Sequence, residues 1–288
     1  MNDRFEKMLL AGVPMIFMLA LFAVPSLIML LASFRYPGEF GGLAPMSENR
    51  GLTLETYRFF FSDFIYTEVF MKSIAMALLT TVFCLMLAYP LAKLIAKSPK
   101  KRRDALVLLV ILPFASNFLI RVYAWMILLG PQSVLSEMCN AVLGWFGVAP
   151  VQLLFSPFAV LIAMVYAHLP FMVLPLYANL ARHDPLLLDA AQDLGANSWQ
   201  RFWRVTFPLS LPGVYSGSAL VFIPALGMFV IPELLGGTRD MLIGNLIKEQ
   251  FLVARDWPFG STLAIMLTLS VALIAWLSGR MVKGRRYA

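Results

Sequence analysis

The sequence predicts an all-α integral membrane protein with six transmembrane helices and both termini in the cytoplasm. Of its 288 residues, 60% are hydrophobic and only 14% are charged, and the mean hydropathy is +0.78. Soluble domains contain about 45–50% apolar and about 25% charged residues. A single packed core has no room for so much apolar surface, which excludes a water-soluble enzyme. A disordered chain is excluded because such chains have a low hydrophobic content. The two cysteines, Cys84 and Cys139, cannot form a disulfide framework.

Long stretches without Asp, Glu, Lys or Arg locate the membrane-spanning helices of a single transmembrane domain, residues 1–288. A helix needs roughly 20 apolar residues to cross the bilayer core. The predicted spans lie near residues 9–33, 71–95, 105–129, 157–180, 212–232 and 260–281. The apolar stretch before Pro157 is broken by glycines and prolines, so we interpret residues 133–146 as a short helix at the membrane surface.

The basic residues near the span ends set the orientation, since cytoplasmic loops carry an excess of Lys and Arg. Fifteen basic and six acidic residues fall on the side that holds both termini, which leaves about +9 there. Seven basic and ten acidic residues fall on the other side, which leaves about −3. We therefore expect both termini in the cytoplasm and the chain in the membrane as a multi-pass protein. The excess of basic residues on the cytoplasmic side accounts for the net charge of +7. We therefore expect this chain to contact the lipid bilayer and not to bind a nucleic acid.

One cytoplasmic connection, residues 181–211, has a helical pattern of its own. The Asp-Pro pair at residues 184–185 is typical of a helix start. Gly195 suits the left-handed conformation that ends a helix, and a second helix follows that we expect Pro208 to close. Apolar side chains at helical spacing give the first helix one apolar face, made of Leu187, Ala190, Ala191 and Leu194. That face suits either docking on another protein or resting on lipid headgroups.

The same connection resembles the EAA loop of ABC-importer permeases. That pattern is Glu-Ala-Ala, three residues, Gly, nine residues, an aliphatic residue, any residue, an apolar residue and Pro. The chain departs from it at Asp189, where Glu is usual, and at Phe207, where Leu is usual, and the spacing is intact. The resemblance implies a coupling helix that docks in a groove of a separate ATPase subunit. The residues implied in coupling are Asp189, Ala190, Ala191, Leu194, Gly195 and Pro208.

Longer stretches are similar to polyamine permeases of the putrescine and spermidine/putrescine group. They are residues 108–125, 166–177, 229–237, 242–251 and 255–260, and they span most of the chain between 70 and 262. The resemblance implies the type I ABC-importer fold, a place in the bacterial inner membrane and half of a polyamine pathway. It also implies a second permease subunit, two copies of a cytoplasmic ATPase and a periplasmic solute-binding protein. Another amine-bearing solute, such as an opine or an amino-acid derivative, is the alternative cargo.

The sequence contains no motif for phosphate binding or catalysis. Gly-x-x-x-x-Gly-Lys-Ser/Thr does not occur, so we expect ATP and Mg²⁺ on the partner ATPase and neither a cofactor nor an enzymatic activity on this chain. The histidines, His168 and His183, lie in different regions, and no metal site is predicted. We expect His168 to pack between helices or bond to the backbone, and His183 to be solvated.

A few polar and aromatic residues in the spans are candidates for the solute path. A charge inside a span is costly and marks a functional candidate, which singles out Arg121, one helical turn after Asn117. A fixed cation would repel a polyamine, so we favour a structural Arg121 that pairs with an acid or a carbonyl or reaches outward. Glu233, at the outer end of the fifth span, can attract a cation. Aromatic faces bind ammonium groups, and the aromatic candidates are Tyr123, Trp125 and Tyr166.

A secondary transporter is the alternative from another functional class. Such transporters place ion-coupling groups at the membrane midplane. None of the six predicted spans contains an Asp or a Glu. The sequence therefore favours an importer driven by a separate ATPase.

Overall fold

The computed structural model describes residues 3–45, 51–147, 149–237 and 240–284. Within these ranges the regular structure is helical, apart from one isolated antiparallel bridge between Pro37 and Leu43. In chain order, the helices are α1 (Asp3–Ala32), α2 (Glu55–Ser62), α3 (Phe64–Lys97), α4 (Lys100–Ile111), α5 (Phe118–Leu129), α6 (Val134–Trp145), α7 (Pro157–Leu180), α8 (Leu186–Asp193), α9 (Ser198–Arg201), α10 (Phe207–Leu226), α11 (Val230–Leu235), α12 (Ile243–Leu252) and α13 (Trp257–Gly284).

Six helical stretches are long and apolar enough to cross a membrane, which confirms the predicted fold class. They are Pro14–Ala32, Phe64–Lys97, Phe118–Trp145, Pro157–Leu180, Ser198–Leu226 and Trp257–Trp276. Helices suit this environment because the bilayer core offers no water, so every backbone N–H and C=O must be bonded within the protein. The predicted short helix near 133–146 is present as α6. α6 falls within the apolar stretch Phe118–Trp145, and its place at the membrane surface stays a prediction.

The third predicted span, residues 105–129, is interrupted rather than continuous. After α4, a turn of 3₁₀ helix covers Leu112–Ala115, and the chain is extended at Ser116 before α5 begins. Pro113 has no backbone N–H and therefore weakens a helix that passes through it. The Asn117 side chain then accepts a hydrogen bond of 2.8 Å from the backbone N–H two residues later and caps α5. Asn117 therefore ends the break and lies outside the helix it was expected to share.

The fifth predicted span, residues 212–232, starts earlier and ends earlier than expected. Gly227 ends α10, and the short helix α11 follows as a separate element. Gly244, near the start of α12, lies so close to this break that a Cβ atom on it would be 2.7 Å from the carbonyl oxygen of Gly227. The side-chain amide of Asn245 donates to the carbonyl oxygen of Phe229 at 2.8 Å. The start of α12 thus packs at the break between α10 and α11.

The contacts divide the chain into two compact units, residues 1–68 with 246–274, and residues 69–245 with 275–288. In the second unit, α3, α7 and α10 form an apolar core. Its buried side chains include Cys84, Ala88, Ile95, Met172, Val173, Leu176, Val214 and Val221. Burial of these side chains holds together the three helices that lead to the coupling region.

Small residues let α10 approach α7 closely. A Cβ atom on Gly213 would be 2.7 Å from the Cβ of Asn179, and one on Gly217 would be 2.7 Å from the sulfur of Met172. Small residues at such crossings are typical of membrane helices, because association there depends on close van der Waals packing. The two glycines are therefore required by the packing of this helix pair.

The first unit is held together by hydroxyl groups and aromatic rings. The hydroxyl of Thr262 donates to that of Thr56 at 2.9 Å, and Thr56 donates to the carbonyl oxygen of Ser33 at 3.0 Å. The hydroxyls of Ser33 and Tyr57 are 2.8 Å apart. The rings of Phe59, Tyr66 and Phe259 form a mutual cluster. These contacts tie the residue after α1, the helices α2 and α13, and the start of α3 together within the unit.

Candidate functional site

The predicted coupling region consists of α8, a glycine turn and a second helix. At the start of α8, the Asp184 carboxylate accepts a hydrogen bond of 3.0 Å from the N–H of Leu186. Gly195 has a φ of +80°, the left-handed conformation that the sequence predicts for it. Asn197 and Gln200 then cap each other's backbone N–H groups, at 2.8 and 3.0 Å, which is a capping box. The helix–turn–helix is therefore fixed by local chemistry.

The apolar face of α8 is not covered by the described part of the chain. Leu187 is 47% exposed and Leu194 is 89% exposed. Asp189 and Ala190 are also exposed, and Ala191 is half-buried. An exposed apolar stripe on a short helix suits the groove of a partner protein.

Pro208 does not end the second helix, contrary to the prediction. After α9 the chain passes through a π-helical turn, Phe202–Thr206, directly into α10. The N–H of Phe207 there bonds to the carbonyl of Phe202, five residues back. This wider turn lies just ahead of the proline, whose missing N–H would leave a gap in an α-helical ladder. The result is one helical stretch, Ser198–Leu226, that joins the coupling region to the fifth span.

Three of the predicted path residues meet in the second unit. Arg121 and Trp125 of α5 and Tyr166 of α7 line a small cavity of about 10 Å³, with Ile231 of α11 on another side. The rings of Trp125 and Tyr166 pack edge to face, with their centres 5.5 Å apart. A cavity of this size has room for about one water molecule. The cavity is therefore too small for a polyamine in this conformation.

The guanidinium of Arg121 stacks on aromatic rings. Its Cζ atom lies 4.5 Å from the ring centre of Phe114 and 5.7 Å from that of Phe118. Its Nε and Nη1 atoms are buried and have no hydrogen-bond partner among the described residues. The aromatic rings therefore stabilise the cation. The predicted acid or carbonyl partner is not found for these two nitrogens among the described residues. Sequence reasoning missed Phe114, because only the break after α4 brings its ring to Arg121.

The other predicted path residues lie elsewhere. Asn117 caps α5 with its side chain, which leaves that oxygen occupied. Tyr123 is 51% exposed and does not line the small cavity. Glu233 is exposed on α11, two residues after Ile231. The structure therefore gathers Arg121, Trp125 and Tyr166, with Glu233 on the adjoining element.

The two histidines have different surroundings. His168 is buried, and its Nδ1 atom lies 2.8 Å from the carbonyl oxygen of Met164, as expected for a backbone-bonded histidine. His183 is half-buried, and its Nε2 atom lies 3.2 Å from the carbonyl oxygen of Leu209. His183 is therefore partly solvated and also bonded to the backbone. Within the described ranges, no group of three or more His, Cys, Asp or Glu residues is placed to hold a metal ion.

Comparison with known families decides the class of this chain. The model of the family described as "binding-protein-dependent transport system inner membrane component" matches residues 85–284. The chain belongs to this family. It is therefore a multi-pass permease of the inner membrane and not a secondary transporter or an enzyme.

Two curated relatives and one solved structure are similar to this chain over most of its length. The spermidine/putrescine transport system permease protein PotB of Haemophilus influenzae is 41% identical, over 95% of this chain and 92% of that protein. The protein of the same name from Escherichia coli strain K12 is 45% identical, over 76% of this chain and 80% of its own length. A chain of a bacterial alginate ABC transporter, solved in complex with an alginate pentasaccharide-bound periplasmic protein, has a TM-score of 0.71 at 19% identity, over 97% of this chain and 94% of that chain. The last similarity shows the fold alone.

Proposed function

We propose that this chain is one of two permease subunits of an ATP-driven importer for polyamines of the putrescine and spermidine class. The observation that carries the proposal is the 41% identity to a spermidine/putrescine permease over nearly the whole of both chains. The partners are a second permease, two copies of a cytoplasmic ATPase that binds ATP and Mg²⁺, and a periplasmic binding protein. The alginate transporter of the same fold, solved with its periplasmic protein, supports this kind of assembly.

Coupling to the ATPase is assigned to α8. Its exposed leucines and small alanines form a narrow apolar surface that suits a groove on the ATPase. α8 is joined by the Gly195 turn to the helical stretch Ser198–Leu226. Because that stretch is continuous, a movement that reaches its first turn is carried to the fifth span. ATP binding would bring the ATPase subunits together and move α8. The spans would then rearrange from one packed arrangement to another.

The solute path is assigned to the surface between α5, α7 and α11. The faces of Trp125 and Tyr166 can hold an alkylammonium group once the helices separate. Glu233 on α11 supplies a carboxylate near the same place. Arg121 is excluded from contact with the solute, because a fixed guanidinium repels a polycation.

The coupling assignment is tested by adding a charge to the exposed face of α8. The Ala190→Asp change alters an exposed side chain, so the fold of the chain should survive while the apolar contact with the ATPase is lost. We expect the ATPase to stop co-purifying with the permease. The matched control is Ala254→Asp, which adds the same charge at another exposed alanine. Retention of the ATPase by the Ala190→Asp variant would contradict the assignment.

The solute is tested separately by the ATPase activity of the reconstituted complex. Binding protein loaded with putrescine or spermidine should stimulate ATP hydrolysis above the level seen with unloaded binding protein. Stimulation only by another cargo, such as an opine or an amino-acid derivative, would contradict the polyamine proposal and leave the importer assignment intact.

A further inference from the structure

A cavity of about 500 Å³ opens beside the coupling region and is distinct from the small cavity at Arg121. Lys97, the last residue of α3, and Leu180, the last residue of α7, both line it. Leu209, near the start of α10, lines it as well. The cavity therefore lies where two membrane spans end and a third begins, which is the level of the lipid headgroups.

The charged part of the lining is mostly basic. It contains Lys93, Lys97, His183 and Arg201, and Asp184 is the one carboxylate among the described lining residues. One oxygen of Asp184 already accepts the hydrogen bond from the N–H at the start of α8. The two lysines are four residues apart on α3, on the same helix face. The described residues form no ion pair with either lysine.

Two of the cations are held in place by their neighbours. The Nζ atom of Lys93 lies 5.1 Å from the ring centre of Phe202. Arg201 donates to the side-chain oxygen of Gln192 at 2.6 Å and to the hydroxyl of Ser198 at 3.3 Å. Such contacts lower the entropy lost when an anion binds.

The remainder of the lining is mostly apolar, and the hydroxyls of Ser198 and Thr206 are its other polar groups. It includes Leu187, Leu188, Val205, Phe202 and Leu209. A cavity with a basic part and an apolar part matches an amphiphile that has an anionic head and a hydrocarbon tail. A soluble anion would use the cations and leave the apolar wall without a partner.

We propose that this cavity binds the phosphate headgroup of an anionic membrane lipid, with phosphatidylglycerol as the simplest example. The phosphate lies between Lys93 and Lys97, and the first part of the acyl chains lies against Leu188 and Leu209. Basic pockets between transmembrane helices are known to hold anionic headgroups. Since Leu188 belongs to α8 and is not part of the apolar face assigned to the ATPase, the lipid also contacts the coupling helix.

The test is a binding titration followed by native mass spectrometry. The purified complex, with lipid removed by detergent exchange, is titrated with dioctanoyl phosphatidylglycerol, dioctanoyl phosphatidylcholine and glycerol 3-phosphate. We expect one tightly held phosphatidylglycerol per copy of this chain and weaker binding of the other two. Replacing both lysines, Lys93→Gln with Lys97→Gln, should weaken phosphatidylglycerol binding about 30-fold, equivalent to about 2 kcal/mol.

Two further variants separate a specific site from general surface charge. Lys93→Arg with Lys97→Arg should keep the lipid, since both cations remain. Lys100→Gln with Lys101→Gln removes two exposed lysines outside the lining and should change the affinity by less than about twofold. An equal loss in this control would overturn the proposal, as would unchanged binding by the first double variant.

The comparison of ligands on the unaltered protein tests the proposal even if a variant does not fold. Equal affinity for phosphatidylcholine would remove the role of the anionic headgroup. Equal affinity for glycerol 3-phosphate would make the cavity a site for soluble anions, which also overturns the proposal. None of these lipid affinities depends on which solute the importer carries.

Discussion

Gly195 determines the turn between α8 and the helix that continues into the fifth span. Its φ of +80° is a conformation that costs a residue with a Cβ atom roughly 1–2 kcal/mol. The space around it is open, so any penalty comes from the backbone and not from a clash. The exchange Gly195→Ala should therefore weaken coupling through conformation alone.

We expect Gly195→Ala to lower the ATPase activity stimulated by the binding protein, and Gly195→Asn to restore much of it, because asparagine tolerates this conformation better than alanine. The control is Gly144→Ala, which also has open space and lies inside α6, where alanine is the better helix former. Equal activities for the alanine and asparagine variants would show that the turn does not control coupling.

Arg121 is a structural cation in this account. Arg121→Met retains most of the side-chain volume and removes the two unpaired buried nitrogens, so we expect thermal stability to be kept and the KM for polyamine uptake to stay within about threefold. Arg121→Ala should lower the Tm by about 3 °C or more, because it leaves a void beside Phe114. A KM raised more than about tenfold in a stable Arg121→Met variant would place the arginine in the path.

The crossing of the helices α7 and α10 depends on two glycines that face different kinds of atom on α7. Gly213 faces the Cβ of Asn179, which moves only with the backbone, whereas Gly217 faces the flexible end of Met172. We expect Gly213→Ala to destabilise the chain by about 1–3 kcal/mol, and Gly217→Ala to cost less. Thermal unfolding in detergent measures both, with Gly144→Ala as the neutral control. A larger loss at Gly217 would contradict the packing described here.

Capping residues, turn residues and composition predicted the coupling loop well. They predicted poorly where the long helices are continuous and where they break. The helix start at Asp184, the turn at Gly195 and the six apolar spans follow from short-range chemistry and composition. The break after α4 and the π-helical turn before Pro208 do not, because a proline in a membrane helix ends it in one packing environment and is accommodated in another. For the same reason, the meeting of Phe114 with Arg121 and the cavity at Lys93 could not be predicted.

The unequal distribution of basic residues over the two sides of the membrane predicts the orientation of the whole molecule. Fifteen basic residues on one side against seven on the other favour cytoplasmic termini. A green fluorescent protein fused after Ala288 should fluoresce, and alkaline phosphatase fused there should be inactive. The opposite pair of results would reverse the assigned faces and would place α8 outside the reach of a cytoplasmic ATPase.

The central claim is that this chain carries polyamines and that α8 transmits the energy of ATP. The most direct test is uptake of radiolabelled putrescine and spermidine into proteoliposomes that contain the complete complex, binding protein on the outside and ATP on the inside. We predict uptake that requires ATP and is abolished by Ala190→Asp but not by Ala254→Asp. Uptake that continues without nucleotide, or that survives Ala190→Asp unchanged, would contradict the account.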